Sequence, residues 1–378
     1  MLHEDKEIGI SSEKSLCLKQ VEINTTSCAG GSHATHAAEM HEYMAQTGAF
    51  HEYDPTLDPS SLPSNKAIKS IVAALASAHA AYGPPKSTKA TSTAILMVVQ
   101  PFNFNIADER PIEYALWNST TPVPTHRCIF RPGVLTDTTL TEDRELLYHP
   151  PYREGLPPVE ISAVYYRAAS QEHEYDLQGQ AARLQLERSR AIKCPNILSQ
   201  LAGSKVVQQA LSEPDVLQKF LTNEDDQQAL SNSFGRMYPL DTTALGLAGR
   251  EIALDPWQAL NYVLKPNRDG GGNNIYRDAI PAYLQAQPES NWARYILMEL
   301  FHPPAQAGKL MTGSGIYEGD VVSELGMMGT CLWRRDGEVL ENSGAGGWTF
   351  KTKPVHVDEM SVVKGYGCFD CPRLVDEY

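Results

Sequence analysis

The sequence contains little cysteine and no excess of positive charge. Seven cysteines among 378 residues are sparse and odd in number, which fits reduced thiols in the cytosol better than a disulfide framework. The formal net charge of −14 argues against DNA or RNA as the main partner, because polyanions are bound by basic surfaces. A single nucleotide is not excluded, since it needs only a few lysines, backbone N–H groups and Mg²⁺.

Long hydrophobic runs and targeting signals are also missing. No apolar stretch approaches the roughly 18 residues that suggest a membrane span, and the longest candidate, residues 67–81, contains Lys69 and His79. The first residues, MLHEDKE, show no basic region followed by an apolar run, so we expect no signal peptide. The expected location is the cytoplasm, without a membrane partner.

Signatures of nucleophilic catalysis and of zinc binding are absent as well. The sequence has no GxSxG elbow and no Cys/His signature. The CFDC segment at 368–371 is a lone CxxC, whereas a zinc site would need a second pair. His33, His36 and His41 do not form an HExxH pattern, so a solvated helix face is the favoured interpretation.

What is present is the composition of a globular protein, with 42% hydrophobic and 21% charged residues. Residues 16–24 alternate apolar and polar positions, which predicts a strand with Glu22 and Asn24 on one face. Apolar residues at helical spacing predict a helix over 66–82 that ends at the GPP segment, 83–85.

The next part of the chain has the pattern of a small α/β unit over residues 90 to 195. Two continuous apolar runs, 94–99 and 161–166, are typical of buried strands in a parallel sheet. Between them we expect helical structure near 111–115 and a hairpin around 131–133.

The remaining half is predicted to mix helices and strands, giving an α/β (α+β) fold class overall. We expect helices at 198–211, 216–221 and from about 280, an acidic loop at 224–226, strands at 262–265, 295–299 and 321–325, and a turn-rich end from 344.

The strongest candidate for chemistry is a glycine-rich segment after a predicted strand. Lys265 ends the strand, Asp269 follows, and Gly270, Gly271 and Gly272 come next. Consecutive glycines let backbone N–H groups approach a phosphate, and the lysine adds a point charge. A neighbouring carboxylate suits Mg²⁺, which prefers one or two carboxylates plus phosphate oxygens. The spacing is not that of a P-loop, and an ordinary glycine-rich turn explains it equally well.

A second candidate is the pair Glu22 and Asn24. Two oxygen ligands on one strand face form half of a site for a hard cation. Taken alone, the solvated face of an edge strand is the better explanation.

Taken together, these segments resemble the eukaryotic glutathione synthetase family of ATP-grasp ligases, with wording nearest to fungal members. The resemblance follows the family's order along nearly the whole chain. Its landmarks are LKQVEINT at 18–25, RLQLERSRAIKCP at 183–195, LAGSKVVQQ at 201–209, the stretch 263–276, YILME at 295–299, SELG at 323–326 and KTK at 351–353.

The resemblance implies an ATP-grasp architecture with an inserted small parallel-sheet substrate domain. The implied segments are 1–88 and 196–378 for the two parts of the ATP-grasp domain and 89–195 for the substrate domain. The implied reaction uses ATP and Mg²⁺ to phosphorylate the C-terminal carboxylate of γ-glutamylcysteine, after which glycine displaces phosphate to give glutathione. Small-molecule acid and amine partners and a homodimer are implied too.

Site residues carry over by motif match. Those implied for catalysis are Lys205, Lys265 and Lys351. Those implied for Mg²⁺ are Glu22, Asn24 and Asp269. Those implied for ATP are Lys205, Lys265, Gly270, Gly271, Gly272, Asn274, Tyr276, Met298, Glu299, Leu300, Phe301, Glu324, Lys353 and Glu359. Those implied for the acid and amine substrates are Ser27, Asn103, Asn105, Glu109, Arg167, Ser170, Lys351, Val362 and Val363.

The departures from the family's pattern lie mostly on the substrate side. Asn103 stands where the family has an acid, Glu109 where it has Gln, Ser170 where it has Tyr, and Lys351 where it has Arg. Lysine cannot form the two-pronged contact of arginine with a carboxylate. On the ATP side Asp269 replaces Glu and keeps the charge.

Two further departures concern the ends of the chain. The closing loop reads MSVVKG at 360–365 instead of the family's GGVAAG, which adds bulk and charge. The family also has a sizeable segment before the point where this sequence begins, and we expect the present chain to lack it.

Three hypotheses stay open. The chain is a glutathione synthetase with weakened substrate contacts, a related ATP-grasp ligase for another acid and amine, or a nucleotide-binding protein without ligase activity. The second is favoured over the first, because ATP-side positions are nearly complete while substrate-side positions are not. A decayed enzyme would lose both sides about equally.

Overall fold

A computed structural model describes residues 2–4, 16–103, 105–153, 155–267, 273–313 and 315–375. The chain divides into two compact units. The first contains the described residues within 1–25, 199–324 and 351–368, and the second those within 26–198, 325–350 and 369–378.

The α-helices follow one another along both units. They are α1 (Gly31–Gln46), α2 (Ala67–Tyr82), α3 (Ile106–Trp117), α4 (Gly133–Asp137), α5 (Leu177–Arg188), α6 (Ile197–Ala202), α7 (Lys205–Leu211), α8 (Pro214–Leu217), α9 (Glu224–Ser233), α10 (Ala244–Leu254) and α11 (Ala279–Gln285).

The strands alternate with these helices. They are β1 (Leu2–Glu4), β2 (Leu16–Leu18), β3 (Thr93–Val99), β4 (Thr125–Ile129), β5 (Thr138–Leu140), β6 (Leu146–Tyr148), β7 (Val159–Tyr166), β8 (Ile192–Cys194), β9 (Met237–Pro239), β10 (Tyr262–Pro266), β11 (Ile275–Tyr276), β12 (Tyr295–Glu299), β13 (Gln306–Thr312), β14 (Gly315–Trp333), β15 (Val339–Pro354) and β16 (Cys368–Phe369).

The second unit is built on a mixed sheet in the order β4-β3-β7-β6-β5, with β8 also paired to β7. The pairs β3–β4, β3–β7 and β7–β8 are parallel, and the pairs to β6 are antiparallel. Leu96 and Val98 pack into one core with α4 and α5, while Ile95 and Met97 pack into another with α2 and α3. Because helices cover both faces, the strand is apolar at every position, as the continuous run predicted.

Several elements of this unit confirm the sequence-based expectations, and one does not. The strands predicted at 94–99 and 161–166 and the helix predicted at 66–82 are β3, β7 and α2. The hairpin expected around 131–133 is wrong, because these residues lead from β4 into the short helix α4. The connection therefore turns through a helix before the chain enters β5.

The first unit contains an antiparallel sheet in the order β11-β10-β12-β9. One face packs on α10 and α11 through a core that includes Leu264, Leu297 and Trp292. The opposite face carries a smaller apolar cluster around Val263 and Met298. The two faces are set by the alternation of side chains along each strand.

Three other expectations for this unit are corrected. Only Leu16–Leu18 of the strand predicted at 16–24 has strand structure. The acidic residues 224–226 are not a loop but the first turn of α9, where negative charge suits the positive end of the helix dipole and Asn223 caps the helix. The helix predicted at 198–211 is broken before α7, which begins after Ser204.

The end of the chain also differs from expectation, because the turn-rich region predicted from 344 includes much of β15. A further sheet has the order β13-β14-β15-β16. The predicted strand at 321–325 is an inner part of the 19-residue β14. Within the described ranges, none of the helices has both the length and the apolar character needed to cross a bilayer.

The core of the first unit can be tested at Leu264, whose side chain is fully buried. We expect Leu264→Ala to lower the free energy of unfolding by about 2–5 kcal/mol through lost burial and a residual cavity. Urea unfolding followed by tryptophan fluorescence measures this, because Trp292 lies in the same core. Leu247→Ala, at a side chain 50% exposed on α10, is the control and should change stability by less than about 0.5 kcal/mol. Equal losses in both variants would contradict this packing.

Candidate functional site

Strand β10 gives the site of the first unit its polarity. Leu264 points into the helix-covered core, so its neighbours Val263 and Lys265 point to the opposite face. Lys265 is buried there, although lysine is rarely buried without a functional or charged partner. The sequence-based placement of Lys265 at the end of a strand is therefore confirmed.

The same face carries the apolar positions expected to contact adenine. Val263 is paired with Tyr276 on one side and with Met298 on the other, so these residues form a row across the sheet. Leu300 and Phe301 pack against this cluster. Glu299 ends β12, and its carboxylate accepts a hydrogen bond from the backbone N–H of Arg236. The structure thus brings Tyr276, Met298, Leu300 and Phe301 together on one side of the sheet.

Glu22 is held by an irregular segment and not by a strand. The N–H of Gln20 donates to Ser233 O at the end of α9, and the Lys19 ammonium donates to Asn232 O. The Gln208 amide of α7 donates to Val21 O at 3.3 Å. Helices far away in the sequence therefore fix the segment that carries Glu22.

Both oxygens of the Glu22 carboxylate accept hydrogen bonds. Lys205 Nζ, at the start of α7, lies 2.8 Å from Oε2, and Asn24 Nδ2 lies 2.9 Å from Oε1. The side chain of Lys205 is 7% exposed, whereas that of Glu22 is 41% exposed. The ammonium is enclosed while the carboxylate still faces solvent.

The charges of this group shift one another. Burial raises the pKa of Glu22, but the ammonium groups of Lys205 and Lys265 outweigh it and bring that pKa to about 2. Burial lowers the pKa of Lys265 to about 8, with Glu22 raising it and Lys205 lowering it further. Glu22 is therefore ionised at neutral pH, beside two cationic groups suited to phosphate oxygens.

The residues expected to hold Mg²⁺ fit one half of a cation site. An ionised carboxylate and a neighbouring amide are oxygen donors of the kind Mg²⁺ takes, and phosphates and water normally complete its shell. Among the described residues no group of three or more His, Cys, Asp or Glu side chains could form a metal site of its own. Asp269 and Gly270 to Gly272 lie outside the described residues, so their roles stay predictions.

More charged groups of the first unit come from β14 and β15. Lys351 Nζ lies 2.9 Å from Glu324 Oε1, and Lys353 donates to Val357 O. Burial lowers the pKa of Lys353, while Asp358 and Glu324 raise it. Both Glu324 and Glu359 act electrostatically on Lys265, so these expected nucleotide positions belong to the same charged group.

The remaining residues expected in this unit form local contacts. Asn274 Nδ2 donates to the Tyr276 hydroxyl at 3.3 Å, and burial raises the pKa of Tyr276 to about 12. Val362 lies in a turn that its carbonyl closes with the N–H of Gly365, and Val363 is exposed. Their contacts with substrate stay predictions.

The second unit brings other expected substrate residues onto a buried ion network. Arg167 follows β7, and its side chain is only 1% exposed. Its guanidinium lies 2.8 Å from Asp108 Oδ2 and 3.5 Å from Glu109 Oε1, and it donates to Cys28 O. Asn103 Nδ2 donates to Glu109 Oε2 at 2.6 Å. Arg167, Glu109 and Asn103, which were predicted separately, are thus in one network.

Sequence reasoning missed Asp108, which is the hub of this network. Its carboxylate accepts from the N–H groups of Gly30 and Ser32 at 3.0 Å each, and so caps α1, whose own N-cap residue offers no side chain. Burial raises the pKa of Asp108, but hydrogen bonding to His33 and the charge of Arg167 bring it to about 2.

Arg127 and Glu113 were missed as well. Arg127 pairs with both Glu109 and Glu113, whose side chains are almost fully buried. The available signal was a charged residue in the middle of strand β4 and the acidic first turns of α3, which give no pairing by themselves.

The other expected substrate positions lie near this network or beside it. Ser27 has φ 50°, in the left-handed region that a non-glycine residue seldom adopts, and its hydroxyl donates to Tyr166 O at 3.5 Å. Asn105 precedes α3, with its N–H bonded to Asn103 Oδ1. The N–H of Ser170 donates to Glu174. Their roles toward a ligand stay predictions.

Comparison with known families gives a match over residues 1–374 to the model of the eukaryotic glutathione synthase ATP-binding domain. The glutathione synthetase large chain of Schizosaccharomyces pombe is 33% identical over 369 residues, covering 94% of this chain and 71% of that protein. Glutathione synthetase of Homo sapiens is 33% identical over 371 residues, covering 97% of this chain and 72% of that protein.

Comparison with solved structures supports the fold. A glutathione synthetase-like effector from Globodera pallida superposes with a TM-score of 0.71 at 18% identity, covering 99% of this chain and 75% of that chain. The mixed α/β class expected from the sequence is therefore confirmed.

The lowered pKa of Lys265 predicts how nucleotide binding depends on pH. A bound phosphate stabilises the ammonium form, so the Kd for ADP should rise above pH 8, by up to about tenfold per pH unit, as the free protein loses this proton. Glu22, Lys205, Glu324 and Glu359 face the same ammonium and set its starting value. Calorimetric titrations between about pH 7.5 and 9.5 measure the slope. Lys265→Arg keeps the charge throughout this range, and an equally steep slope in that variant would refute the assignment.

Proposed function

We propose, since this chain belongs to the eukaryotic glutathione synthase family, that it is an ATP- and Mg²⁺-dependent ligase that joins a carboxylate to an amine. The observation that carries this proposal is the group on one face of the first unit's sheet. Two buried lysines, Lys205 and Lys265, accompany the ionised Glu22, and the face of β10 that carries Lys265 also carries the apolar Tyr276 and Met298. Cationic groups for phosphates and an apolar surface for a base are the two halves of a nucleotide site.

The proposed reaction has two steps and no covalent enzyme intermediate. A carboxylate oxygen of the acid attacks the γ-phosphorus of ATP, and ADP leaves with the electron pair of the broken bond. The amine nitrogen then attacks the acyl carbon of the acyl phosphate, phosphate leaves, and the nitrogen loses a proton. Lys205 and Lys265 donate to phosphate oxygens and stabilise the charge that shifts between them.

The proposed metal ligands are Glu22, Asn24 and Asp269, with Gly270 to Gly272 closing over the phosphates. Mg²⁺ would neutralise phosphate charge and orient the γ-phosphoryl group when bound. Catalysis then depends on positioning and charge, because none of these side chains needs to become a nucleophile.

A second candidate concerns the substrates rather than the chemistry. Glutathione formation from γ-glutamylcysteine and glycine is the simplest assignment within the family. However, the donors of Arg167 already meet Asp108, Glu109 and Cys28 O, and Lys351 is paired with Glu324. Cations that are engaged in this way are poorly placed to receive a second carboxylate. This observation favours a related ligase with a different acid and amine.

The wider context is part of the same proposal. We propose small-molecule acid and amine substrates, a cytoplasmic location and a homodimer, with a substrate domain at 89–195 between two ATP-grasp segments, 1–88 and 196–378. The altered closing loop at 360–365 would cover the substrates.

The first test measures phosphate release with Mg·ATP, γ-glutamylcysteine and glycine, with mass spectrometry of the product. Glutathione at an ordinary enzymatic rate, about 1 s⁻¹ or faster, would assign the family reaction. If the substrate side is rebuilt, we expect turnover only with other acids or amines from a panel. ATP binding without turnover across the panel would contradict the ligase proposal.

Two substitutions test the proposed phosphate and metal residues. We expect Lys265→Ala and Asp269→Asn each to reduce kcat/KM by at least about 100-fold, because each removes a charge that stabilises the transferring phosphoryl group. Lys219→Ala, an exposed lysine of the same unit, is the matched control and should leave turnover unchanged. Normal turnover in either site variant would refute its assigned role.

A further inference from the structure

The ion pair between Glu22 and Lys205 joins two groups with different proposed ligands. On the proposed function, on which this inference rests, Lys205 contacts nucleotide phosphate and Glu22 contacts Mg²⁺. In this structure Lys205 Nζ instead donates to Glu22 Oε2 at 2.8 Å. A phosphate that reaches the ammonium must therefore approach a carboxylate of the same sign.

The surroundings keep that carboxylate in place. Asn24 Nδ2 holds its other oxygen at 2.9 Å. The segment that carries Glu22 is tied to α9 through Gln20 and to α7 through Gln208. Glu22 cannot move away from Lys205 without breaking contacts made by the segment on both sides of it.

The strength of the repulsion follows from the geometry. A phosphate oxygen bound to the Lys205 ammonium would lie about two hydrogen-bond lengths, roughly 5–6 Å, from Glu22 Oε2. At an effective dielectric constant of about 20, two unit charges at that distance repel by about 3 kcal/mol. Lys205 is enclosed, so solvent screens this repulsion poorly, whereas the more exposed carboxylate can be reached by a cation.

We propose that Glu22 makes nucleotide binding conditional on Mg²⁺, because its carboxylate opposes metal-free ATP at Lys205 and attracts the metal complex. A divalent cation between carboxylate and phosphate turns repulsion into attraction. Asn24 is a positioning residue that keeps the carboxylate aimed at this point. The site would then select the form of ATP that can react and exclude the form that can only occupy it.

The test compares the Kd for ATP measured by calorimetry in excess EDTA and in excess Mg²⁺. For Glu22→Gln we expect metal-free ATP to bind about tenfold more tightly than in the wild type, within the range of 5–150-fold typical of coupling between sites. The tightening by Mg²⁺ should shrink by at least the same factor. Glu251→Gln, at an exposed acid of α10, makes the same change in net charge and should match the wild type.

Glu22→Asp separates this effect from a structural one. It keeps the charge, so it should still reject metal-free ATP, and circular dichroism shows whether each variant is folded. Unchanged or weaker metal-free binding in Glu22→Gln, with wild-type Mg·ATP binding intact, would overturn this inference alone. If the wild type fails to bind ATP with or without Mg²⁺, the proposed function and the inference both fall.

Discussion

Burial of two ammonium groups on one side of a sheet is the constraint around which the first unit is organised. Lys205 and Lys265 lose hydration and repel each other, and the pKa of Lys265 falls to about 8 as a result. An ionised Glu22 offsets part of this unfavourable charge. That carboxylate reaches the lysines only because α7 and α9 hold the irregular segment on which it lies. Buried charges with an incomplete set of partners weaken a fold, so their presence is better explained by a ligand than by stability.

The second unit solves the same electrostatic problem in a closed way. Arg167 and Arg127 are matched by Asp108, Glu109 and Glu113, and Asp108 also caps α1 through backbone N–H groups. A network that satisfies itself rigidifies what it touches. We infer that Arg167 acts on a substrate through the segment after Thr26, whose backbone it holds at Cys28 O. The two units thus use buried charge differently: one leaves cations facing a single close carboxylate, and the other consumes its charges internally.

How much the sequence predicted depended on how local each interaction is. The strand at 94–99 could be predicted because helices on both faces demand an unbroken apolar run. Lys265 could be placed because alternation and the following glycines are local patterns. The segment at 19–24 could not, since its shape comes from helix ends about 200 residues away. Asp108 escaped for the same reason, because a carboxylate in a first helical turn ordinarily serves its own helix, whereas this one caps another.

Net charge and local charge lead to different expectations for this chain. A net charge of −14 disfavours a polyanion at long range, yet the proposed site contains several lysines. The Debye length of about 8 Å at physiological ionic strength means that distant acids contribute little beside groups in contact. What a nucleotide meets is therefore the local order of charges, with Glu22, Glu324 and Glu359 interleaved among Lys205, Lys265, Lys351 and Lys353. Such an arrangement suits a ligand that carries both signs, and nucleotide triphosphate with a bound divalent cation is a ligand of that kind.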